Sequence, residues 1–333
     1  MTDEGGRSPR RRRPRTTAEL QEQIRATRSD IRDQVRATRL QFDEANARIT
    51  ARTGRNLVFA IGVGLALGGG LLLSLLVVKQ LFLVVAVVLV AFGAFELAGA
   101  LRHAGLRVPR VGSAVAAALA QPVAYFSMVP GPAGSAAAAP AGWLLAILGA
   151  VVLAGAWRVA EGVAEPVPRA ALLRDLAATA FVQLYVTLLG TCATVLTAQP
   201  DGQWWTLSFV AVAVATDLFA YISGLLFGRH PMAPRISPKK TWEGFAGSAL
   251  AAVVVATVLA PLVLHQPVWF GPVFGIVVLC TGTLGDLGES MLKRDIGVKD
   301  ISGWLPGHGG FLDRIDSVLP SGAAALLLLF LVR

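Results

Sequence analysis

Between an apolar run ending near Leu284 and another beginning near Val318 lie 27 residues, SMLKRDIGVKDISGWLPGHGGFLDRID, from Ser290 to Asp316. They are polar, glycine-bearing and dense in both signs of charge. Just upstream, GDLGES sets Asp286 and Glu289 three residues apart, on one face of a helix. Asp313 and Asp316, also three apart, flank Arg314 after the turn PGHGG, where His308 stands between glycines. Carboxylates on separate elements beside cationic side chains are the means by which hard cations and phosphates are held together. The carboxylate oxygens take Mg²⁺, and lysine or arginine neutralises phosphate. His308 has three readings: a phosphate donor, a group behind the ligands, or an exposed loop histidine. A salt-bridged amphipathic loop is the plainer alternative for the whole stretch, but it leaves the glycines and the histidine at the turn unexplained.

Two further pieces carry chemistry. The loop ISPKKTWEG, Ile236 to Gly244, begins a turn at Ser237 and Pro238, offers the ammonium groups of Lys239 and Lys240, and sets Thr241, Glu243 and Gly244 at the start of the next helix. Lysines, hydroxyls and free N–H groups at a helix start form an anion site, although a short basic loop can also serve only to fix membrane orientation. In TDLFAYISGLLFGRHP, Asp217 interrupts an apolar span and needs a partner, a proton or a cation. Gly224 and Gly228 share its helix side with Tyr221, so a close-packed helix face with a satisfied aspartate is the competing reading.

The elements that must position these residues are membrane helices. The 333 residues are 54% hydrophobic and only 15% charged, against about 25% charged in soluble proteins. The expected class is an all-α, polytopic membrane protein. Apolar length and breakers give nine spans, near 57–78, 81–101, 111–129, 142–158, 175–198, 203–228, 245–265, 268–288 and 317–333. Charge tests that count: of sixteen Lys and Arg beyond residue 56, only Lys79 and Arg333 miss the loops that are cytoplasmic if the N-terminus is cytoplasmic. Both the 229–244 loop and the 289–316 stretch then face the cytoplasm. Eight of the thirteen acidic residues beyond residue 56 lie between Asp217 and Asp316, which assigns the chemistry to 201–333 and leaves 57–200 as a transmembrane scaffold. Glu96, the main ionisable group of the early spans, reads as a snorkelling or helix-pairing carboxylate.

Residues 1–56 form a basic arm, with RRRRPR at Arg10 to Arg15 expected to be disordered and Thr17 to Arg52 reading as a polar helix. Such an arm fixes orientation and touches anionic lipid. Without an aromatic or fold motif, its arginines do not indicate nucleic acid. Cys192 and Cys280 sit inside apolar runs with no metal-ligand spacing, so neither a disulfide nor zinc is expected.

At the same spacing, Ser290, Lys293, Arg294, Lys299, Asp300, Pro306, His308, Gly309, Gly310, Asp313, Arg314 and Asp316 reproduce the S-x-x-K-R-x4-K-D…P-x-H-G-G-x-x-D-R-x-D pattern of the phosphatidate cytidylyltransferases. The segments S-P-K-K-T-x-E-G and D-x-x-A-Y-x-x-G are similar to that family too. The resemblance covers Asp217 to Asp316; the arm has no counterpart in the family's shortest members. It implies a Mg²⁺-dependent reaction of CTP with phosphatidate at a cell membrane, giving CDP-diacylglycerol and pyrophosphate. It also implies metal ligation by Asp286 and Asp313, and phosphate binding by Lys239, Lys240, Lys293, Arg294 and Lys299, with Ser237 and Thr241 in the same pocket. Of these, Asp286, Asp313, Lys240 and Lys293 are expected to act on the reacting groups. Glu243, His308 and Arg314 are further substrate-side candidates, and Asp217, Glu289 and Asp316 secondary ones. A homodimer and a second cation are compatible with this reading.

A cation channel or secondary transporter would instead put its charges near mid-membrane and show paired repeats, neither of which is visible. A related transferase acting on a polyprenol would share the site chemistry without needing the whole pattern.

Overall fold

Long stretches of Leu, Val, Ala and Gly without consecutive breakers can satisfy their backbone in lipid only as helices. The computed structural model describes residues 68–129, 140–164, 167–298, 301–302 and 310–333. After a helical segment at 68–76 come α1 (Leu81–His103), α2 (Arg110–Met128) and α3 (Pro140–Ala164). Next are α4 (Arg169–Val182), a π-helical turn (Gln183–Leu188), α5 (Leu189–Ala198) and α6 (Gly202–Phe227). The short strands β1 (Pro231–Ala233) and β2 (Ser237–Thr241) precede α7 (Trp242–Leu262) and α8 (Phe270–Ile296). The chain ends with α9 (Leu312–Ile315) and α10 (Val318–Leu331).

Among the described residues, eight helices are long and apolar enough to cross a membrane. They match eight of the nine expected spans, α4, the π turn and α5 together making one of them. The molecule is an all-α polytopic membrane protein. The first half of the first expected span, 57–67, lies outside the described residues, as does the whole arm 1–56; its second half is the helical segment at 68–76.

Packing explains why so many helices are apolar all round. Leu144, Leu145, Leu148 and Val152 on α3, and Leu250, Val254 and Val258 on α7, point outward and are exposed, as expected where lipid is the solvent. Inside, small residues let helices approach. Ala116, Ala120 and Ala124 of α2 and Ala146, Ala150 and Ala154 of α3, all at four-residue steps, join one core with Phe209, Phe274 and Leu329. A second core brings Val90 and Leu97 of α1 together with Val186 of the π turn, Leu312 and Ile315 of α9, and Leu319 of α10. Cys192 and Cys280 are both free.

The two ends of the bundle differ in chemistry. At one end Lys79 donates to the carbonyls of Ala198 (3.4 Å) and Gln199 (2.6 Å), and Arg333 donates to Pro200 O (2.6 Å). The two basic residues set apart by the charge count thus sit together. At the other end Arg158 and Asp175 form a buried ion pair at 2.7 Å, and Asp175 also accepts from the Arg107 N–H at 3.0 Å. That carboxylate ties the α1–α2 connection to α3 and α4.

Two local expectations are corrected. The loop carrying Lys239 and Lys240 is a β-hairpin: β1 and β2 pair antiparallel, with Pro231 opposite Thr241 and Ala233 opposite Ser237. Five residues from Ser237 to Thr241 extend as a strand because the turn falls earlier, where Ile236 N–H donates to Ala233 O at 3.1 Å. The eighth expected span does not end at Gly288 either. Nothing in ESMLKRDI breaks the helix, so α8 continues for 27 residues to Ile296, where Gly297 takes a left-handed conformation with φ of 78°. At 1.5 Å per residue it is roughly 40 Å long, beyond a hydrocarbon core of about 30 Å. Ser290, Lys293 and Arg294 are therefore helical.

Candidate active site

The cavity that matters opens between α6, the hairpin, α7 and α8. About 240 Å³ in volume, it is lined by Asp217, Lys239, Lys240, Thr241 and Asp286 among the expected residues. Tyr221, Met232, Phe245, Val278 and Leu279 give it an apolar side, with Thr216, Ser248, Thr283 and Ser317 supplying hydroxyls.

Each side chain is there for a local reason. Thr241 ends β2 and caps α7, its Oγ1 accepting the Gly244 N–H at 3.1 Å; one residue thus fixes both strand end and helix start. Lys239 and Lys240 are brought to the cavity by that strand, and Lys240 forms an ion pair with Asp286 across to α8. Ser237 opens β2, half-buried. Glu243 accepts from the Arg229 N–H (3.1 Å) and the His230 N–H (3.2 Å) and bonds the His230 ring. It pins the start of the hairpin and is absent from the cavity lining. Arg294, at the end of α8, donates to Ile236 O at 3.4 Å and braces the hairpin from the other side.

Along α8, Asp286, Glu289 and Lys293 follow one another on a face. Ser290 donates to Asp286 at 3.4 Å. Lys293 bonds Asp313 of α9 at 3.1 Å and lies 3.6 Å from Glu289. Asp313 also accepts the Gly310 N–H at 3.1 Å. Asp316 is buried and accepts the Ser317 N–H at 2.7 Å. α8 can come this close because residue 285 is glycine: a Cβ there would stand 2.3 Å from Asp316 O. Arg314 is exposed, and Lys299 and His308 lie outside the described residues.

Glu289 is fully buried, and neither of its carboxylate oxygens has a hydrogen-bond partner among the described residues. Its counter-charge is the Lys293 ammonium at 3.6 Å. Asp286, Glu289, Asp313 and Asp316 are hard oxygen donors, and two of them already hold lysine ammonium groups. The donor set fits a divalent cation. Among the described residues no three His, Cys, Asp or Glu side chains converge on one point.

Two polar groups outside 201–333 stand in apolar spans. In the π-helical turn, Tyr185 stacks on Phe181 with ring centroids 5.7 Å apart. Its hydroxyl is buried without a partner among the described residues. Glu96 of α1 accepts the Leu312 N–H at 2.9 Å and bonds Ser302 Oγ. Only their placement as isolated polar groups in apolar spans could have drawn attention to them.

One end of the bundle thus carries a cavity in which the Lys240–Asp286 pair meets an apolar wall, an arrangement suited to phosphate-bearing groups. The chain belongs to the cytidylyltransferase family, whose model matches residues 59–332. It is similar to phosphatidate cytidylyltransferases of Mycobacterium bovis, 34% identical over 85% of this chain and 91% of the relative, and Mycobacterium leprae, 35% identical over 85% and 90%. It is also similar to the phosphatidate cytidylyltransferase of Brucella abortus, 43% identical over 40% of this chain and 48% of the relative.

Proposed function

We propose that the protein transfers the CMP moiety of CTP to phosphatidate, forming CDP-diacylglycerol and pyrophosphate in phospholipid biosynthesis. The observation that carries this reading is the Lys240–Asp286 pair at the mouth of a cavity polar on one side and apolar on the other. Such a cavity suits a nucleotide from water and a lipid from the bilayer.

A phosphate oxygen of phosphatidate attacks the α-phosphorus of CTP; the bond between that phosphorus and the bridging oxygen breaks, and pyrophosphate leaves with the electron pair. Two polyanions must meet, so catalysis consists of positioning and charge compensation. Lys239 and Lys240 receive phosphate from the hairpin side, and Lys293 from α8. Thr241 and Ser237 offer hydroxyls beside them, and the apolar wall from Phe245 to Leu279 takes the start of the acyl chains. Phosphatidate is already an anionic nucleophile near neutral pH, so no general base is needed.

Mg²⁺ is the proposed cofactor, with Asp286 and Asp313 as its ligands and Glu289 and Asp316 behind them. Bound there, it would supply positive charge to offset the triphosphate and the leaving pyrophosphate. Lys240 and Lys293, which pair with these aspartates, would bind phosphate beside them. The site is proposed to face the cytoplasm of a cell membrane, following the positive-inside count, where CTP is found. The remaining alternative is a related transferase that acts on a polyprenol. Purified protein given CTP, Mg²⁺ and each acceptor in turn separates them: pyrophosphate release with phosphatidate alone supports the reading, and release only with the polyprenyl acceptor contradicts it.

A further inference from the structure

Glu96 lies in α1, more than two hundred residues before Asp313, in a helix that is otherwise apolar or small up to Arg102 and His103 at its end. Its side chain is 2% exposed. A carboxylate in such a place must be satisfied or neutralised, and its partners are specific. One oxygen accepts the backbone N–H of Leu312 at 2.9 Å, and the other bonds Ser302 Oγ. Ser302 stands before, and Leu312 after, the turn whose glycines the sequence reading singled out. Asp313 follows Leu312 directly, so the bonded N–H is one peptide unit from the proposed ligand.

Gly310 reports how tightly this is built. A Cβ at that position would lie 2.7 Å from Glu96 Oε2 and 3.0 Å from Ser302 Oγ, too close for any other residue without displacing the carboxylate. The Gly310 N–H meanwhile donates to Asp313 Oδ2 at 3.1 Å. The residue that must be glycine to admit Glu96 is therefore the one that orients Asp313. Around them, Phe92 of α1 stacks on Phe311 with ring centroids 4.8 Å apart, and Leu97 packs in the same core as Leu312 and Ile315. α1 is thus keyed to this segment by an aromatic stack, an aliphatic contact and a charged clasp.

We infer that Glu96 is a positioning residue for the transfer reaction: its carboxylate clasps Ser302 and the Leu312 N–H, and so sets the carboxylate of Asp313 toward Lys293 and α8. The inference rests on the reading of Asp313 as a site residue. A displacement of about 1 Å in a reacting constellation can cost on the order of a hundredfold in rate, so a clasp remote from the reacting phosphates can still govern turnover.

The test uses the full-length enzyme in detergent or vesicles, with kcat, KM for CTP and thermal unfolding measured for Glu96→Gln, Glu96→Ala, Ser302→Ala and Glu96→Gln/Ser302→Ala, and with Asp313→Asn as reference. Glu96→Gln keeps the shape and one acceptor. Its kcat is expected to fall by about 10- to 100-fold with KM for CTP within about twofold and the midpoint of unfolding little changed, and Glu96→Ala is expected to fall further. Because both groups belong to one clasp, the double variant should lose little beyond Glu96→Gln. Wild-type kcat in both Glu96 variants, with Asp313→Asn inactive, overturns the inference and leaves the site reading intact. Loss of activity that only parallels loss of folded protein overturns it too. An active Asp313→Asn overturns the site reading, and this inference with it.

Discussion

At the scale of single residues, the site is a set of charges that cannot all be satisfied by one another. Asp286 and Asp313 each hold a lysine, whereas Glu289 holds no hydrogen bond among the described residues and pairs with Lys293 only at 3.6 Å. Asp286→Asn and Asp313→Asn should each cut turnover by about 10³-fold or more, the scale of removing a preorganised charge, while the protein stays in the membrane. Retained activity across a Mg²⁺ titration of either variant would remove the metal assignment. Lys240→Ala should raise KM for CTP by roughly tenfold or more, as loss of a charge-assisted phosphate contact does; steady-state kinetics at saturating phosphatidate reads this directly. These residues were legible in the sequence because ionisable groups stand out against apolar spans and recur at three- and four-residue steps. Their pairing was not, since nothing in the spacing says that Lys240 meets Asp286 or that Lys293 meets Asp313. Glu243 shows the same limit: its place at the start of a helix was readable, but its engagement with Arg229 and His230 depends on how the hairpin folds back.

At the scale of elements, length and hydropathy located eight of the nine expected spans to within a few residues at most ends. The exceptions are informative. Polar residues at the end of α8 read as a loop, yet the helix continues because it has left the hydrocarbon and Lys293 and Arg294 suit a helix C-terminus. The hairpin was invisible because its strands are too short for an alternating pattern to show. From within the expected scaffold, Glu96 of α1 bonds Ser302 and the Leu312 N–H. Close approach of α8 to α10 depends on Gly285. Gly285→Ala should therefore lower the unfolding midpoint, by an overpacking cost of about 1–3 kcal/mol, and reduce activity together with it. Asp175→Ala leaves Arg158 buried without its partner and should destabilise by about 3–5 kcal/mol, measured by thermal unfolding in detergent.

For the whole molecule, the bundle has one end rich in paired charges and another where Lys79 and Arg333 are held by backbone carbonyls. Charge placement along the sequence separated those ends before any packing was known, because basic residues concentrate in cytoplasmic loops. Orientation follows as a prediction. In a variant lacking Cys192 and Cys280, a cysteine at Arg235 should react with a membrane-impermeant maleimide only after permeabilisation. One at Pro267 should react in intact cells, and the reverse pattern would invert the topology.

The central claim, cytidylyl transfer to a lipid phosphate, is tested most directly by following the atoms. Purified protein in phosphatidate-containing vesicles with Mg²⁺ is given CTP labelled at the α-phosphorus or, separately, at the β- or γ-phosphorus. The α-label is expected in the organic-soluble lipid and the β- or γ-label in aqueous pyrophosphate, both transfers being abolished by Asp286→Asn. An α-label that stays in the aqueous phase while phosphatidate is present would contradict it.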